Sequence, residues 1–334
     1  MKTVTISDVA AQAKVSKSTV SQFLNKRYDY MGDKTKQRIE RAIEELGYQP
    51  NIVARSLKQK STRTIGVIVA NILHNFTTEV TRAIEDACIS ADYHTIICNA
   101  DDDPEKEKHY IEMLRAKQVD GLIIFPTGGN RDLYKKMLKD RYPVIFLDRK
   151  VEDISISSVL LDNEMAAGLA IEHFIQKGYQ RIGMITTSIM HHITPRLERI
   201  KGYEKAIRRH GLPFIEDYVK SAEPTNIQQV LEDLLGLEEP PEAILAGNDL
   251  VLIELLKYVK QKNLRIPEEL AIIGIDDVSF ASFYTPAITT VAQPTFEIGK
   301  MGAEALLNKI RTKNTENELF HYRFEPCLMV RDSV

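Results

Sequence analysis

The chain has 334 residues, 43 % of them hydrophobic, which is enough for two or three domains with well-filled cores. It contains no stretch of about 18 uncharged apolar residues, and MKTVTISDVA lacks an apolar signal region, so export and membrane insertion are not expected and a cytoplasmic location is. Charge is unevenly split: residues 1–60 carry 12 Lys/Arg against 6 Asp/Glu and the remainder 32 against 41, so a basic end suited to a polyanion precedes an acidic body.

Two short helical patterns open the chain. Ile6, Val9, Ala10 and Ala13 fall at helical spacing behind a capping pair, Thr5 and Asp8. After a corner at Ala13-Lys14-Val15, Ser16 caps a second helix with Val20, Phe23 and Leu24 on its apolar face and Lys17, Ser18, Ser21 and Gln22 outside. Such a pair is a helix-turn-helix, whose second helix can enter the DNA major groove, or an ordinary helical hairpin. A third helix, Asp33–Leu46, with Ile39, Ala42, Ile43 and Leu46 on one face, starts at a capping Asp33 and stops at Gly47.

TISDVA, VSKSTVS, IEELGYQPN and ARSL, in this order, resemble the lac repressor (LacI/GalR) family of bacterial transcription regulators. The resemblance implies a DNA-binding domain over residues 1–50, a hinge over 51–60 and an effector-binding and dimerisation domain over 61–334. It implies DNA contacts from Thr5, Ser16, Lys17, Ser18, Thr19, Ser21, Gln22, Asn25 and Tyr28. In the hinge, Asn51 is the cap, and Ala54 and Leu57 match the motif that wedges a leucine into the minor groove of bent DNA. Gln22 stands where many members have Arg, and Gln suits adenine whereas Arg suits guanine, so a different base preference is expected. Lys26, Arg27 and Tyr28 in NKRYDYMG replace a shorter Gly-rich turn, to reach phosphates or to pack.

From Thr64, short apolar runs alternate with helical stretches: IGVIVA, TIIC, GLIIF and PVIFLD, then RIGMIT, YVKSA, EAILAG and LAIIGID. This repetition predicts parallel sheets covered by helices on both faces. Two lobes are expected, one over about 61–161 with 293–320, the other over about 162–290 with 321–334. The tail is read as one helix, Pro294–Arg311, and one strand, FHYRFEPCL. Crossings between lobes would make a hinged cleft, the architecture of periplasmic sugar-binding proteins. No leucine heptads follow Arg331, so a tetramerisation helix of the kind some relatives carry is not expected.

No G-x-G-x-x-G, G-x-x-x-x-G-K-[ST] or G-x-S-x-G element occurs, so neither a cofactor nor catalysis is expected. His191-His192 is the one adjacent histidine pair and lacks the spacing a metal wants; Cys88, Cys98 and Cys327 read as buried free thiols. Polar residues, His74 after the first strand among them, do gather at the carboxyl ends of strands, where open α/β sheets bind ligands. The candidates are Asn71, Asn75, Phe76, Asp148, Arg196, Arg199, Asn248, Asp276 and Phe280, with Arg149 assigned to structure. The resemblance places the positions of Asp148, Arg199, Asn248 and Asp276 against a sugar or purine effector. Strand-end Asp and Asn can equally be helix caps.

Arg196 and Arg199 could clamp the carboxylate of an acidic sugar, while a neutral sugar fits the same residues. NKRYDYMG is similar to pectin and uronate regulators, which suggests 2-keto-3-deoxygluconate. The reading is a repressor, a homodimer on a pseudo-palindromic operator in double-stranded DNA, with allosteric control from the cleft. Against it stand a sugar-binding protein with an irrelevant helical arm, and an enzyme for which no nucleophile, base or cofactor loop is found.

Overall fold

The computed structural model describes residues 4–29, 31–49, 61–190, 193–312 and 319–334. It divides into two units, Met1–Thr62 and Arg63–Val334.

In the first unit, helices α1 (Ile6–Gln12), α2 (Lys17–Leu24) and α3 (Asp33–Leu46) close on Val9, Ala10, Ala13, Val20, Met31, Ile39 and Ala42. Lys14 makes the corner in the left-handed region, at φ 53°. Gly47, at φ 60°, ends α3, its N–H donating to Glu44 O and that of Tyr48 to Ile43 O. The Thr5–Asp8 capping box forms as expected, with the Thr5 N–H donating to Asp8 Oδ2 at 2.8 Å. One cap differs from expectation: the N-cap of α3 is Gly32, with Asp33 as the first helical residue.

In the second unit β1 (Thr64–Val69), α4 (Asn75–Ser90), β2 (His94–Asn99), α5 (Pro104–Ala116), β3 (Gly121–Ile124), α6 (Arg131–Lys139), β4 (Val144–Leu147) and β5 (Ser158–Leu161) come first. Then follow α7 (Asn163–Gln176), β6 (Ile182–Thr187), α8 (Thr194–Arg209), β7 (Val219–Ala222), α9 (Ile227–Leu235), β8 (Ala243–Ala246), α10 (Asp249–Lys262), β9 (Ala271–Ile275) and β10 (Thr289–Ala292). The chain closes with α11 (Thr295–Arg311), β11 (His321–Phe324) and β12 (Cys327–Met329).

These strands form two six-stranded sheets, in the orders β11-β5-β4-β3-β1-β2 and β12-β10-β9-β8-β6-β7. Every pairing is parallel except β10 with β12. Both faces of each sheet are buried, which is why the central strands read as unbroken apolar runs. In β1, Ile65, Val67 and Val69 meet α4 and α11, while Ile68 packs on the opposite side with Ile111, Leu114 and Tyr134.

Each sheet is one lobe, and the chain crosses between them at Asp162, at Gln293-Pro294 and at Glu325-Pro326. Three expectations are corrected. β5 and β10 lie outside the expected strands, since Ser158 in one and Thr289-Thr290 in the other interrupt the apolar run. FHYRFEPCL is two strands, because Pro326 has no N–H to continue a ladder. The first of them, His321–Phe324, pairs with β5 and so belongs to the first lobe, not the second. Cys88 and Cys98 are buried as expected, whereas Cys327 is exposed on its edge strand. Among the described residues no helix is long and apolar enough to cross a membrane, and no group of three or more His, Cys, Asp or Glu is placed to hold a metal ion.

Candidate functional site

The first unit presents one polar helix face. Lys17, Ser18 and Gln22 are exposed on α2 and have no role in the three-helix core. Ser16 caps the helix by accepting from Thr19 N at 3.2 Å, and its hydroxyl lies 2.7 Å from that of Ser18 and 2.8 Å from that of Thr19. Asn25 donates its amide to Ser21 O at 2.7 Å, so the far end of α2 is self-satisfied. Tyr28 stacks edge-on against Phe23, with ring centroids 5.9 Å apart, and Lys36 sits 4.9 Å over its ring. That packing fixes the Asn25–Gly32 connection, and Lys26 and Arg27 stay exposed on it. Asn51, Ala54 and Leu57 lie outside the described residues, as does the His191-His192 pair.

In the second unit, one cavity lies between the lobes. From the first lobe Ala70, His74, Phe76, Thr77, Phe125, Asp148 and Arg149 line it; from the second Ile193, Pro195, Arg196, Arg199, Asn248 and Asp276; and Gln293 from a crossing. Its volume is about 50 Å³, room for a few waters. Contacts across its mouth hold it narrow. His74 Nδ1 is 2.6 Å from Asp249 Oδ1, Asn75 N–H donates to Asp249 Oδ2 at 2.7 Å, and Thr194 Oγ1 donates to Lys150 O at 2.9 Å.

Asp148 and Asp276 line the cavity at the ends of β4 and β9, and Asp102, beyond β2, stands behind the lining Arg149 and Arg196; their φ values are 63°, 86° and 55°. Asp enters this left-handed region more readily than most non-glycine residues, and here it does so just beyond the ends of three strands. Asp102 joins two guanidiniums, accepting from Arg149 Nη1 at 2.7 Å and Arg196 Nη2 at 3.3 Å. Burial pushes the Asp102 carboxyl up, yet those two cations bring it below the usual range. Asp148, with Arg149 Nε 3.5 Å away, is raised by burial. Asp276 is pushed up to about 6 by burial, with the Asp249 carboxylate adding to it. Burial likewise opposes ionisation of Asp249, but the His74 contact outweighs it and its carboxyl stays low. Arg196 is lowered to about 10 by burial, Arg149 adding to the effect.

Of the residues expected at an effector, Phe76, Asp148, Arg196, Arg199, Asn248 and Asp276 do meet in the cavity. Three expected residues are placed elsewhere. Asn71 uses its side chain to accept from Leu73 N in its own turn, Asn75 donates its amide to Glu79, and Phe280 packs against the second-lobe core. Asn248 lines the cavity while also capping α10, its Oδ1 accepting from Val251 N and its Nδ2 donating to Thr187 Oγ1. Arg149, assigned to structure, is both structural and cavity-lining.

The expected two-arginine carboxylate clamp is already occupied by the protein. Arg196 is turned to Asp102 and Ser188 O, and Arg199 donates to Asn163 Oδ1 at 2.9 Å and Gly247 O at 2.6 Å. His74 lines the cavity as a strand-end residue should, whereas Asp102 and Gln293 are site residues outside the expectation. The strand-end rule applied to TIICNADDD would have found Asp102, whereas Gln293 follows a strand that was itself unrecognised.

The chain matches the family model described as bacterial regulatory proteins, lacI family, over residues 5–51, and a periplasmic binding protein-like domain over residues 171–334. It is 49 % identical to a probable HTH-type transcriptional regulator, EndR of Paenibacillus polymyxa, over 99 % of this chain and 98 % of that one. It is 33 % identical to the HTH-type transcriptional regulator KdgR of Bacillus subtilis, over 92 % and 91 % of the two chains. Among solved structures it is similar to the lac repressor bound to ONPG in the repressed state, with TM-score 0.86, 25 % identity and 100 % of both chains covered.

Proposed function

The chain belongs to the lacI family of bacterial regulatory proteins, and from that premise we propose that its interlobe cavity is the effector site controlling how its helix-turn-helix engages operator DNA. It is a sequence-specific, DNA-binding transcriptional regulator of the repressor type. Lys17, Ser18 and Gln22 are the base-reading residues, since they are exposed on α2 without serving the core. It acts as a homodimer, and the exposed Ile72, Leu73, Ile89 and Ile97 of the first lobe supply apolar surface for a second copy.

The observation that carries the effector reading is the convergence of Asp148 from one lobe with Arg199, Asn248 and Asp276 from the other on one cavity. Its chemistry favours a neutral, hydroxyl-rich compound of sugar size. The Asp148 carboxylate and the buried Gln293 Oε1, which has no hydrogen-bond partner among the described residues, are acceptors that hydroxyl groups would satisfy. The guanidiniums are committed to Asp102, Asn163 and backbone carbonyls, so an added carboxylate would have to displace them.

Thermal-shift screening of the full chain against neutral mono- and disaccharides, sugar acids and purines tests this. A ligand at about 100 times its Kd adds roughly 2.7 kcal/mol to stability. A neutral sugar should raise Tm in the wild type and not in Asp148→Asn. Shifts from sugar acids or purines alone would contradict the neutral-ligand reading.

A further inference from the structure

Where the chain crosses between lobes lies a second polar cluster, joined to the cavity lining through Arg199. Arg323, on first-lobe strand β11, donates Nη2 to Glu198 Oε1 at 2.6 Å and Nη1 to Glu198 Oε2 at 2.8 Å. Glu198 lies on second-lobe helix α8, so this two-pronged bond spans the lobes. Arg323 Nη1 also donates to Leu161 O, the last residue of β5, at 3.0 Å, and Asp162 N–H donates to Phe324 O at 2.8 Å, tying two crossings side by side.

Asn163, fully buried at the first crossing, connects this cluster to the cleft. Its Nδ2 donates to Glu198 Oε2 and to Leu161 O, both at 3.3 Å, and its Oδ1 accepts from Arg199 Nε at 2.9 Å. Glu198 and Arg199 are neighbours on α8, one facing the crossing, the other the cavity.

We propose that the Glu198–Arg323 fork is the positioning element that fixes the angle between the lobes. A bidentate guanidinium–carboxylate pair holds both bonds in only a narrow range of orientations. Rotation of one lobe about the crossings moves α8 relative to β11 and breaks at least one prong, so the pair favours one interlobe angle over all others. Asn163, Glu198 and Arg199 move together, because all three stand on second-lobe helices packed in one core, so the strain of the movement falls on the Arg323 side of the fork. The proposal uses the cleft reading only for its consequence, the effector response; the lobe angle is measured without ligand.

The test is a spin-label distance measurement on the full-length protein, with Glu105→Cys on the first lobe and Thr225→Cys on the second, both exposed, and Cys327→Ser to remove the exposed native thiol. Labelled chains are diluted with unlabelled ones, so that each dimer reports one intrachain distance. The wild type should give one dominant distance. Glu198→Gln and Arg323→Lys should each add a longer population and lower the ratio of short to long about tenfold, the loss expected of a charge-assisted bond. Lys201→Gln, which breaks a neighbouring ion pair with Glu164, should leave the distribution as it is. An unchanged distribution in Glu198→Gln, which keeps the side chain's shape, overturns the proposal even if Arg323→Lys fails to fold. If the cleft reading alone is wrong, these distances still change, and the failure shows only in the ligand screen.

Discussion

The Nδ1 atom of His74 lies 2.6 Å from Oδ1 of Asp249, joining the loop after β1 in one lobe to the first residue of α10 in the other. The second Asp249 oxygen is held by Asn75 N–H. Asp249→Ala leaves a largely buried imidazole and an amide N–H unpaired, at a cost of about 2–4 kcal/mol. Thermal unfolding of the full chain should show this as a lower Tm; an unchanged Tm would mean that the contact carries no stability.

Asp276 makes stability depend on pH. Its folded carboxyl is raised to about 6, above the ~3.9 of an unfolded Asp. Across that window the native state holds a proton that the unfolded chain has released. This group's contribution to stability therefore falls as pH rises, and the loss is complete above about pH 6. The stability of wild type minus that of Asp276→Asn should drop by on the order of 2–3 kcal/mol between about pH 4 and pH 7. Denaturant titrations at several pH values measure it; a difference that rises over this window would contradict the assignment.

Two glycines should respond in opposite directions. A Cβ on Gly202 would fall 2.3 Å from Glu164 O and 2.7 Å from Glu164 Cα, against backbone that cannot turn aside. Gly202→Ala should therefore cost about 2–4 kcal/mol by forcing α8 away from α7. Gly168, in the middle of α7, has nothing within 4 Å of such an atom, so Gly168→Ala should stabilise by about 0.5–1 kcal/mol through helix propensity alone. Chemical denaturation of the two variants separates the cases.

At the DNA-facing end, Gln22→Arg should change the preferred base opposite that position, from one offering a donor and an acceptor to one offering two acceptors. The discrimination at stake is about 1–3 kcal/mol. Half-site selection with the wild type and the variant measures it, and the same preferred base from both would remove Gln22 from the reading residues.

Local chemistry made much of this molecule legible and non-local pairing hid the rest. Gly47 at the end of α3, Lys14 in the corner and the apolar runs of β1, β3, β4 and β6 follow from rules about single residues and their near neighbours. So did the strand-end positions of Asp148, Asn248 and Asp276. β5 (SVLL) and β10 (TTVA) were not legible, because their Ser and Thr residues leave no unbroken apolar run like those of β3 and β4, and without β10 Gln293 has no strand end to follow. The division of FHYRFEPCL between two sheets depends on partners about 160 and 40 residues away in sequence, β5 and β10. Asn71 and Asn75 obeyed the strand-end rule, but their side chains were taken by their own turn and helix. The His74–Asp249 contact joins positions 175 apart, beyond any local signal.

The most direct test concerns control of DNA binding from the cleft through Asp148. Asp148→Asn keeps the size of the side chain, and Asn tolerates the left-handed backbone found there. Fluorescence anisotropy of an operator duplex selected with the wild type would be titrated with each protein, with and without the neutral sugar that raises wild-type Tm. The account predicts that the sugar changes wild-type operator affinity by about tenfold or more, within the range of allosteric coupling, and leaves Asp148→Asn unaffected while its sugar-free affinity matches wild type. An equal response to the sugar in both proteins would contradict it.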